Sequence, residues 1–507
     1  MSSFSVESPA AGAPLSDVSA TDLTLLPSML EKARQAQAAW AELTLEARGK
    51  IVKKVKSRVL DQAEALAALI HREVGKPEVE AILGEVLPTA DVIDYWTANI
   101  EEHLEALEVE IDPISYPGKS GVIERVPRGV IAVIMPWNFP LALPFRALIP
   151  ALLSGNAVLF KPSEISPRTG ADIVKLFDGI LPDGLLQLVQ GGGDAGGSVC
   201  SVGVDLVVFT GSVATGRKVA RACAEALIPC ALELGGKDAA IVLKDANLDR
   251  AANGLVWAAM MNAGQNCGSV ERVYVERAVA DELVKKIVEV ANSLQPGRDV
   301  GPLTTKNQCN IVKMHVEGAV AQGAKILTGG KAGDDGYQFP VTIIEVDHDD
   351  MALMADETFG PVLPIAIVAT AEEAVGRANA SRYGLTASIW TRDLKLAQKL
   401  ARKLRAGVIT INNHSFTGAL PGAPWTGVGE SGYGVTNSPF SLDALTRPRF
   451  ILEDRSSAKR ELWWFPYTPA LRTIGLSFAV MRSGTKSIFA KVRALFSLLG
   501  AFVKRWN

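Results

Sequence analysis

The chain has 507 residues, 48% of them hydrophobic and 21% charged, a balance that excludes global disorder and permits a large buried core. Lys and Arg number 52 against 55 Asp and Glu, so the net charge of -3 excludes the strongly basic surface of a general nucleic-acid binder. At roughly 150 residues per domain, the length predicts about three domains.

In chain order, residues 1–20 are rich in Ser, Ala, Pro and Gly and predict a flexible N-terminus. They begin Met1-Ser-Ser-Phe-Ser-Val-Glu, without the basic-then-apolar pattern of a secretory signal. From about Leu25 to Asn99, apolar residues recur at helical spacing, as at Val52, Val55 and Val59, and Gly75-Lys-Pro predicts a helix stop. Val122–Val126 and Val130–Met135 read as strands. Short apolar runs then alternate with helical stretches. Ala157–Phe160, Leu185–Val189, Leu206–Phe209 and Cys230–Leu234 predict buried strands, and 141–154, 168–178 and 213–226 predict helices between them. That alternation predicts βαβ units and a parallel sheet. A second α/β region covers about 239–430, with strands near 239–243, 272–276, 364–368 and 408–411.

The last segment differs in charge. Residues 455–507 carry ten Lys or Arg and one acid, Glu461, a balance of +9 in a chain whose total is -3. Its uncharged runs are too short for the roughly 20 apolar residues that span a bilayer. Ile488, Val492, Leu495, Leu499 and Phe502 nevertheless form one helical stripe. The segment reads either as a basic amphipathic helix on an anionic membrane or as a tail packed on its own subunit or a neighbour.

The five cysteines, Cys200, Cys223, Cys230, Cys267 and Cys309, are sparse and odd in number, which predicts a reducing, cytosolic setting without a disulfide framework. The five histidines are isolated, and no metal site is predicted.

Five segments carry candidate chemistry. Gly191-Gly-Gly193-Asp-Ala-Gly196 fits a dinucleotide glycine pattern, yet the stretch after it is a poor helix former, so the favoured reading is a plain loop leading to another strand. Thr210-Gly211-Ser212-Val-Ala-Thr-Gly216 joins a strand to a helix. It reads either as a pyrophosphate-binding helix start or as an ordinary capped helix. Cys267 lies in the polar loop Asn262-Ala-Gly-Gln-Asn-Cys267-Gly. It is either a thiolate nucleophile or, like most lone cysteines, inert. Glu233 ends an apolar strand, as a buried general base or as an outward partner of Lys237. Asn138, in Pro136-Trp-Asn-Phe-Pro140, is an oxyanion donor or turn chemistry.

Taken together and in this order, Pro136-Trp-Asn-Phe-Pro, Lys161-Pro-Ser-Glu, Phe209-Thr-Gly-Ser, Leu232-Glu-Leu-Gly-Gly-Lys, Gly264-Gln-Asn-Cys and Glu357-Thr-Phe-Gly-Pro closely resemble the NAD(P)-dependent aldehyde dehydrogenases over about residues 25–453. The resemblance implies an α/β fold with a Rossmann-type cofactor domain (21–106 and 128–235), a catalytic domain (236–434), and a small β oligomerisation arm (107–127 and 435–455) that makes a homodimer or homotetramer. Residues 456–507 are then a basic amphipathic tail. In position this tail is similar to that of the membrane-associated, fatty-aldehyde-oxidising branch, without a full transmembrane helix. By the same resemblance Cys267 is the nucleophile, Asn138 and the Cys267 amide the oxyanion site, and Glu233 the base. Gly211, Ser212 and Gly216 hold the pyrophosphate, Lys161 and Glu164 contact the adenosine ribose, and Glu357 and Phe359 lie near the nicotinamide ribose, with Met135, Trp137 and Leu234 completing the cofactor contacts. The Glu164 carboxylate repels a 2′-phosphate and favours NAD over NADP. Glu233 favours a free acid as product.

One pattern departs from the family: Trp425-Thr-Gly427-Val-Gly-Glu-Ser431-Gly432 lacks its usual Lys, and the acid often found just beyond is Thr436 here, which leaves substrate class open. The tail points to a hydrophobic aldehyde. Arg146 suggests a semialdehyde instead, although an Arg paired with a neighbouring acid is the simpler expectation. Coenzyme A acylation and a membrane-recruited, catalytically silent scaffold are the rival functions.

Overall fold

The computed structural model describes residues 3–113, 115–333 and 336–506. Two compact units result: 1–106 with 124–449, and 107–123 with 450–507.

The larger unit begins where the sequence predicts a flexible segment. Ser3–Phe4 pairs with Val18–Ser19 and Glu7–Ser8 with Ala13–Pro14. Next come helices Leu26–Ala41, Leu45–Asp61, Ala63–Val74 and Leu87–His103. Their apolar stripes explain them: Val52, Val55 and Val59 are fully buried. The Thr44 side chain caps the second helix by accepting from the Ala47 N–H. Gly75, at φ +79°, ends the third, a backbone conformation that a Cβ would strain.

All the strands expected between 157 and 234 form, in a six-stranded sheet ordered Gly432–Tyr433, Cys230–Glu233, Leu206–Thr210, Val130–Ile134, Ala157–Lys161, Leu186–Leu188. Only the first pair is antiparallel. Val130–Ile134 and Ala157–Lys161 are buried throughout, as strands covered on both faces must be. From Val130–Ile134 the chain winds outward one way through 157 and 186, then returns to 206 and winds the other way. The order reverses between Val130–Ile134 and Leu206–Thr210, so the loops leaving those two strands diverge and open a crevice.

One expectation is overturned in this sheet. Gly193–Ser201 is a helix, not a plain loop. Its glycines are poor helix formers, but Ala195, Val199 and Cys200 are buried, so tertiary packing outweighs local propensity.

A seven-stranded sheet comes next, ordered Lys325–Thr328, Thr342–Val346, Val362–Val368, Val270–Glu276, Asp238–Val242, Thr386–Trp390, Val408–Ile411. Only its first pair is antiparallel. Three of these strands, at 325, 342 and 386, are not evident from the sequence.

The smaller unit joins what the sequence divides into arm and tail. Leu107–Val109 pairs antiparallel with Gly121–Ile123. Lys119 Nζ bridges Asp454 and Glu461 at 2.8 and 2.6 Å. Helices Pro469–Arg482 and Ile488–Trp506 form a hairpin around Ile474, Leu498 and Ala501. Among the described residues no helix is long and apolar enough to cross a membrane.

Candidate active site

The crevice at the strand-order reversal holds a cavity of about 300 Å³. Trp137 and Asn138 line it from the loop after Val130–Ile134, and Gly211 and Ser212 from the loop after Leu206–Thr210. Leu234 and Gly235 enter from the end of Cys230–Glu233, while Cys267, Glu357 and Phe359 close it from the seven-stranded side. Gln308 is a further lining residue that sequence reasoning missed.

Cys267 is half-buried, shortly after a backbone forced into an uncommon shape. Asn262, Ala263 and Gly264 all have positive φ, at 55°, 55° and 72°. A Cβ on Gly264 would meet the Gly360 carbonyl oxygen at 2.1 Å, so only glycine fits. The Cys267 N–H has no acceptor among the described residues. Burial pushes the thiol up to about 12; the Glu357, Asp238 and Glu233 charges add to the rise, and the Arg146 guanidinium opposes it.

Asn138 Nδ2 donates to the Gln265 carbonyl at 3.2 Å. Its backbone is clamped: Lys76 Nζ and Asn262 Nδ2 both donate to the Asn138 carbonyl, at 2.9 and 2.8 Å. Lys76 also pairs with Glu85, both fully buried, and lies over the Phe139 ring. Glu85 in turn accepts from the Leu141 and Ala142 N–H groups at the start of the helix Ala142–Leu153, at 2.8 and 3.1 Å. Sequence reasoning missed Lys76 and Glu85 because they sit 62 and 56 residues from the atoms they hold. Lys76→Met leaves the Glu85 carboxylate buried without its cation. The expected cost is about 3–5 kcal/mol of stability, read from urea unfolding.

Glu233 is buried, and no side chain hydrogen-bonds its carboxylate among the described residues; the Thr436 backbone is near enough to hold down part of its rise. Lys237 pairs instead with Glu271, so the expected alternative of a Glu233–Lys237 pair does not occur. Burial raises the Glu233 carboxyl well above the ordinary range, and the Arg146 charge offsets only part of that. Arg146 itself forms no ion pair with an acid among the described residues, and its Nε is buried without a partner. The simpler expectation of a paired Arg146 is therefore corrected.

Glu357 accepts from the Gly236 N–H at 3.1 Å, and burial lifts its carboxyl to about 8. The next residues are held by Glu271, which accepts from the Thr358 and Phe359 N–H groups at 2.7 and 2.9 Å. The Phe359 ring meets Trp137 edge-on, centroids 5.7 Å apart. Trp425, from the departing motif, is buried close against Gly268, beside Cys267.

The residues present fit a dinucleotide. Ser212 caps the helix Val213–Glu225 by accepting from the Thr215 N–H, so the other amides of that first turn face the crevice end of the sheet. A Cβ on Gly235 would fill the cavity wall, 2.1 Å from a Glu357 carboxylate oxygen. A Cβ on Gly216 would strike Leu234 at 2.5 Å. Met135 is buried, its N–H donating to the Lys161 carbonyl at 3.1 Å. Lys161 Nζ and Glu164 form an ion pair 3.0 Å long, and neither residue lines the Cys267 cavity; Glu164 lines a second cavity of about 760 Å³ together with Gly191 and Gly192. Among the described residues no group of three or more His, Cys, Asp or Glu is placed to hold a metal ion.

A strand-order crevice lined by a free cysteine and a capped helix start, with the buried Glu233 carboxylate near enough to act on that cysteine electrostatically, fits an α/β enzyme that holds a nucleotide. The aldehyde dehydrogenase family model matches residues 1–451. Among curated proteins, 4,4′-diapolycopene aldehyde oxidase of Methylomonas sp is 39% identical over 92% of this chain and 89% of its own. Lactaldehyde dehydrogenase of Escherichia coli (strain K12) is 37% identical over 76% of this chain and 82% of its own. Among solved structures, PnpE in complex with nicotinamide adenine dinucleotide superposes with a TM-score of 0.86 and 32% identity, over 90% of this chain and 95% of that one. The chain belongs to the aldehyde dehydrogenase family and has its fold.

Proposed function

We propose that this protein oxidises a hydrophobic aldehyde to its carboxylic acid, with NAD as the preferred hydride acceptor. The observation that carries the reaction is the shared cavity of Cys267 and Asn138, with the buried Glu233 carboxylate free of any side-chain partner and near enough to act on Cys267 electrostatically. The Cys267 thiolate forms a C–S bond to the aldehyde carbon, and the carbonyl π pair moves onto oxygen. The second Asn138 amide hydrogen and the free Cys267 N–H hold that alkoxide. When bound, the nicotinamide cofactor supplies the hydride acceptor, and it adds a positive charge against the carboxylates that raise the thiol. Loss of hydride leaves a thioester on Cys267. Glu233 then takes a proton from water, the resulting hydroxide attacks the thioester carbon, and the C–S bond breaks to release acid and thiolate.

The Lys161–Glu164 pair would hold the adenosine ribose, where the carboxylate disfavours a 2′-phosphate. The identity to a relative named for 4,4′-diapolycopene aldehyde supports a hydrophobic substrate. The exposed Phe450, Ile451 and Leu452 support the arm strand as a contact between copies in a dimer or tetramer. Five free cysteines support a reducing compartment.

Unpaired Arg146 favours a second reading, a semialdehyde whose carboxylate the guanidinium would bind. The competing role is electrostatic, since Arg146 is the cation that lowers the Cys267 thiol. Arg146→Leu separates them. The first reading expects kcat/KM for decanal to exceed that for succinic semialdehyde, with NAD over NADP. It also expects the variant to lose about tenfold on both aldehydes, with its pH profile moved upward. A loss confined to succinic semialdehyde would establish the second reading. NADH formation that depends on added coenzyme A would replace hydrolysis by acyl transfer.

A further inference from the structure

The tail hairpin lies beyond the segment that the family model matches, which ends at residue 451. Within the hairpin, the stripe Ile488, Val492, Leu495, Leu499 and Phe502 lies off the seam between the two helices. Ala494, Leu498 and Ala501 are buried in the hairpin seam, and the whole stripe faces outward, from 36% exposed at Phe502 to 73% at Ile488. Phe489, Phe496 and Val503 widen it, at 84%, 70% and 62% exposed. At about 100° per residue these eight side chains cover roughly 140° of the helix. Lys491 borders one edge of that arc, and Arg493 and Lys504 border the other. Before the hairpin, Trp463, Trp464, Phe465 and Tyr467 are also exposed.

We propose that the hairpin of Pro469–Arg482 and Ile488–Trp506 docks this protein on an anionic lipid bilayer, the outward apolar face of the second helix seated between the headgroups and its flanking cations paired with them. Charge selects this occupant. Residues 455–507 carry +9, so the remaining chain carries -12, and the positive charge is gathered where the apolar face is. A second copy would bring a like-charged face against this one and be repelled. An anionic headgroup layer accepts the cations while its acyl boundary accepts Phe489 and Phe496. Exposed Trp and Tyr suit the same boundary, an apolar body with a polar edge. Among the described residues no helix is built to cross, so the contact is in-plane. The inference is independent of the catalytic reading.

The test is flotation of the full-length protein with vesicles of phosphatidylcholine and phosphatidylserine, against phosphatidylcholine alone, with kcat/KM for a water-soluble aldehyde as the check on folding. The intact protein should float with the phosphatidylserine vesicles, and added salt should weaken that. Lys491→Gln, Arg493→Gln and Lys504→Gln should each lower partitioning about fivefold. The double variant Phe489→Glu with Phe496→Glu should stay unbound with unchanged kcat/KM. The proposal is overturned if the intact protein ignores both vesicle types or if the double variant floats like the parent. It is also overturned if the double variant merely lowers the solution mass by light scattering without any vesicle binding by the parent, which would make the occupant a second copy.

Discussion

Cys267→Ala is expected to abolish aldehyde oxidation, lowering kcat by at least about 10⁴-fold while the unfolding free energy stays within about 0.5 kcal/mol of the parent. The reason is chemical, since no other cysteine stands in the cavity: Cys200, Cys223 and Cys309 are buried, and Cys230 bonds the Tyr433 hydroxyl at 3.3 Å. Stability should hold because Cys267 fills no sealed core position and its weak contact to Asn266 is 3.9 Å long. NADH production at the parent rate by a correctly folded Cys267→Ala would refute the nucleophile.

Glu233→Gln should separate the two halves of the reaction. One equivalent of NADH per site should appear as a burst, followed by turnover slowed about 10²–10⁴-fold as thioester accumulates. The pH dependence has a definite sign. Burial holds the Glu233 proton above the ordinary carboxylate range. Below that raised pKa the carboxyl keeps its proton and cannot take one from water, so deacylation in the parent should rise as pH climbs through it. In Glu233→Gln that rise should vanish. Mass spectrometry of the quenched enzyme would find the acyl adduct on the peptide containing Cys267. A variant with full turnover and no adduct would remove Glu233 from the mechanism.

The candidate site was legible in unequal parts. Cys267 stood out because a thiol among Asn, Gln and Gly is unlike one among apolar neighbours, a contrast visible within a few residues. The helix capped by Ser212 was equally local, since an N-cap and its donor lie three residues apart. Lys76, Glu85, Glu271 and Gln308 were not legible. Each acts on a backbone group far along the chain, as Glu271 does on Thr358 and Phe359, 87 and 88 residues away. The helix Gly193–Ser201 failed for the opposite reason: its local composition argues against a helix, and burial of Val199 and Cys200 outweighs it.

By itself the sequence determined the parallel strands of the six-stranded sheet, most of the helices between them and the residue types that could act, because period, capping and composition are short-range properties of the chain; the strands at 342 and 386 and the helix at 193–201 needed the fold. Tertiary structure alone decided which of those residues meet and which stay unpaired. Lys237 takes Glu271 rather than Glu233, and Arg146 forms no ion pair among the described residues; in the tail Ala494, Leu498 and Ala501 are buried while the stripe at 488–502 is exposed. Pairing is a competition among distant groups for the same partner, and its outcome depends on distances that only the folded chain sets.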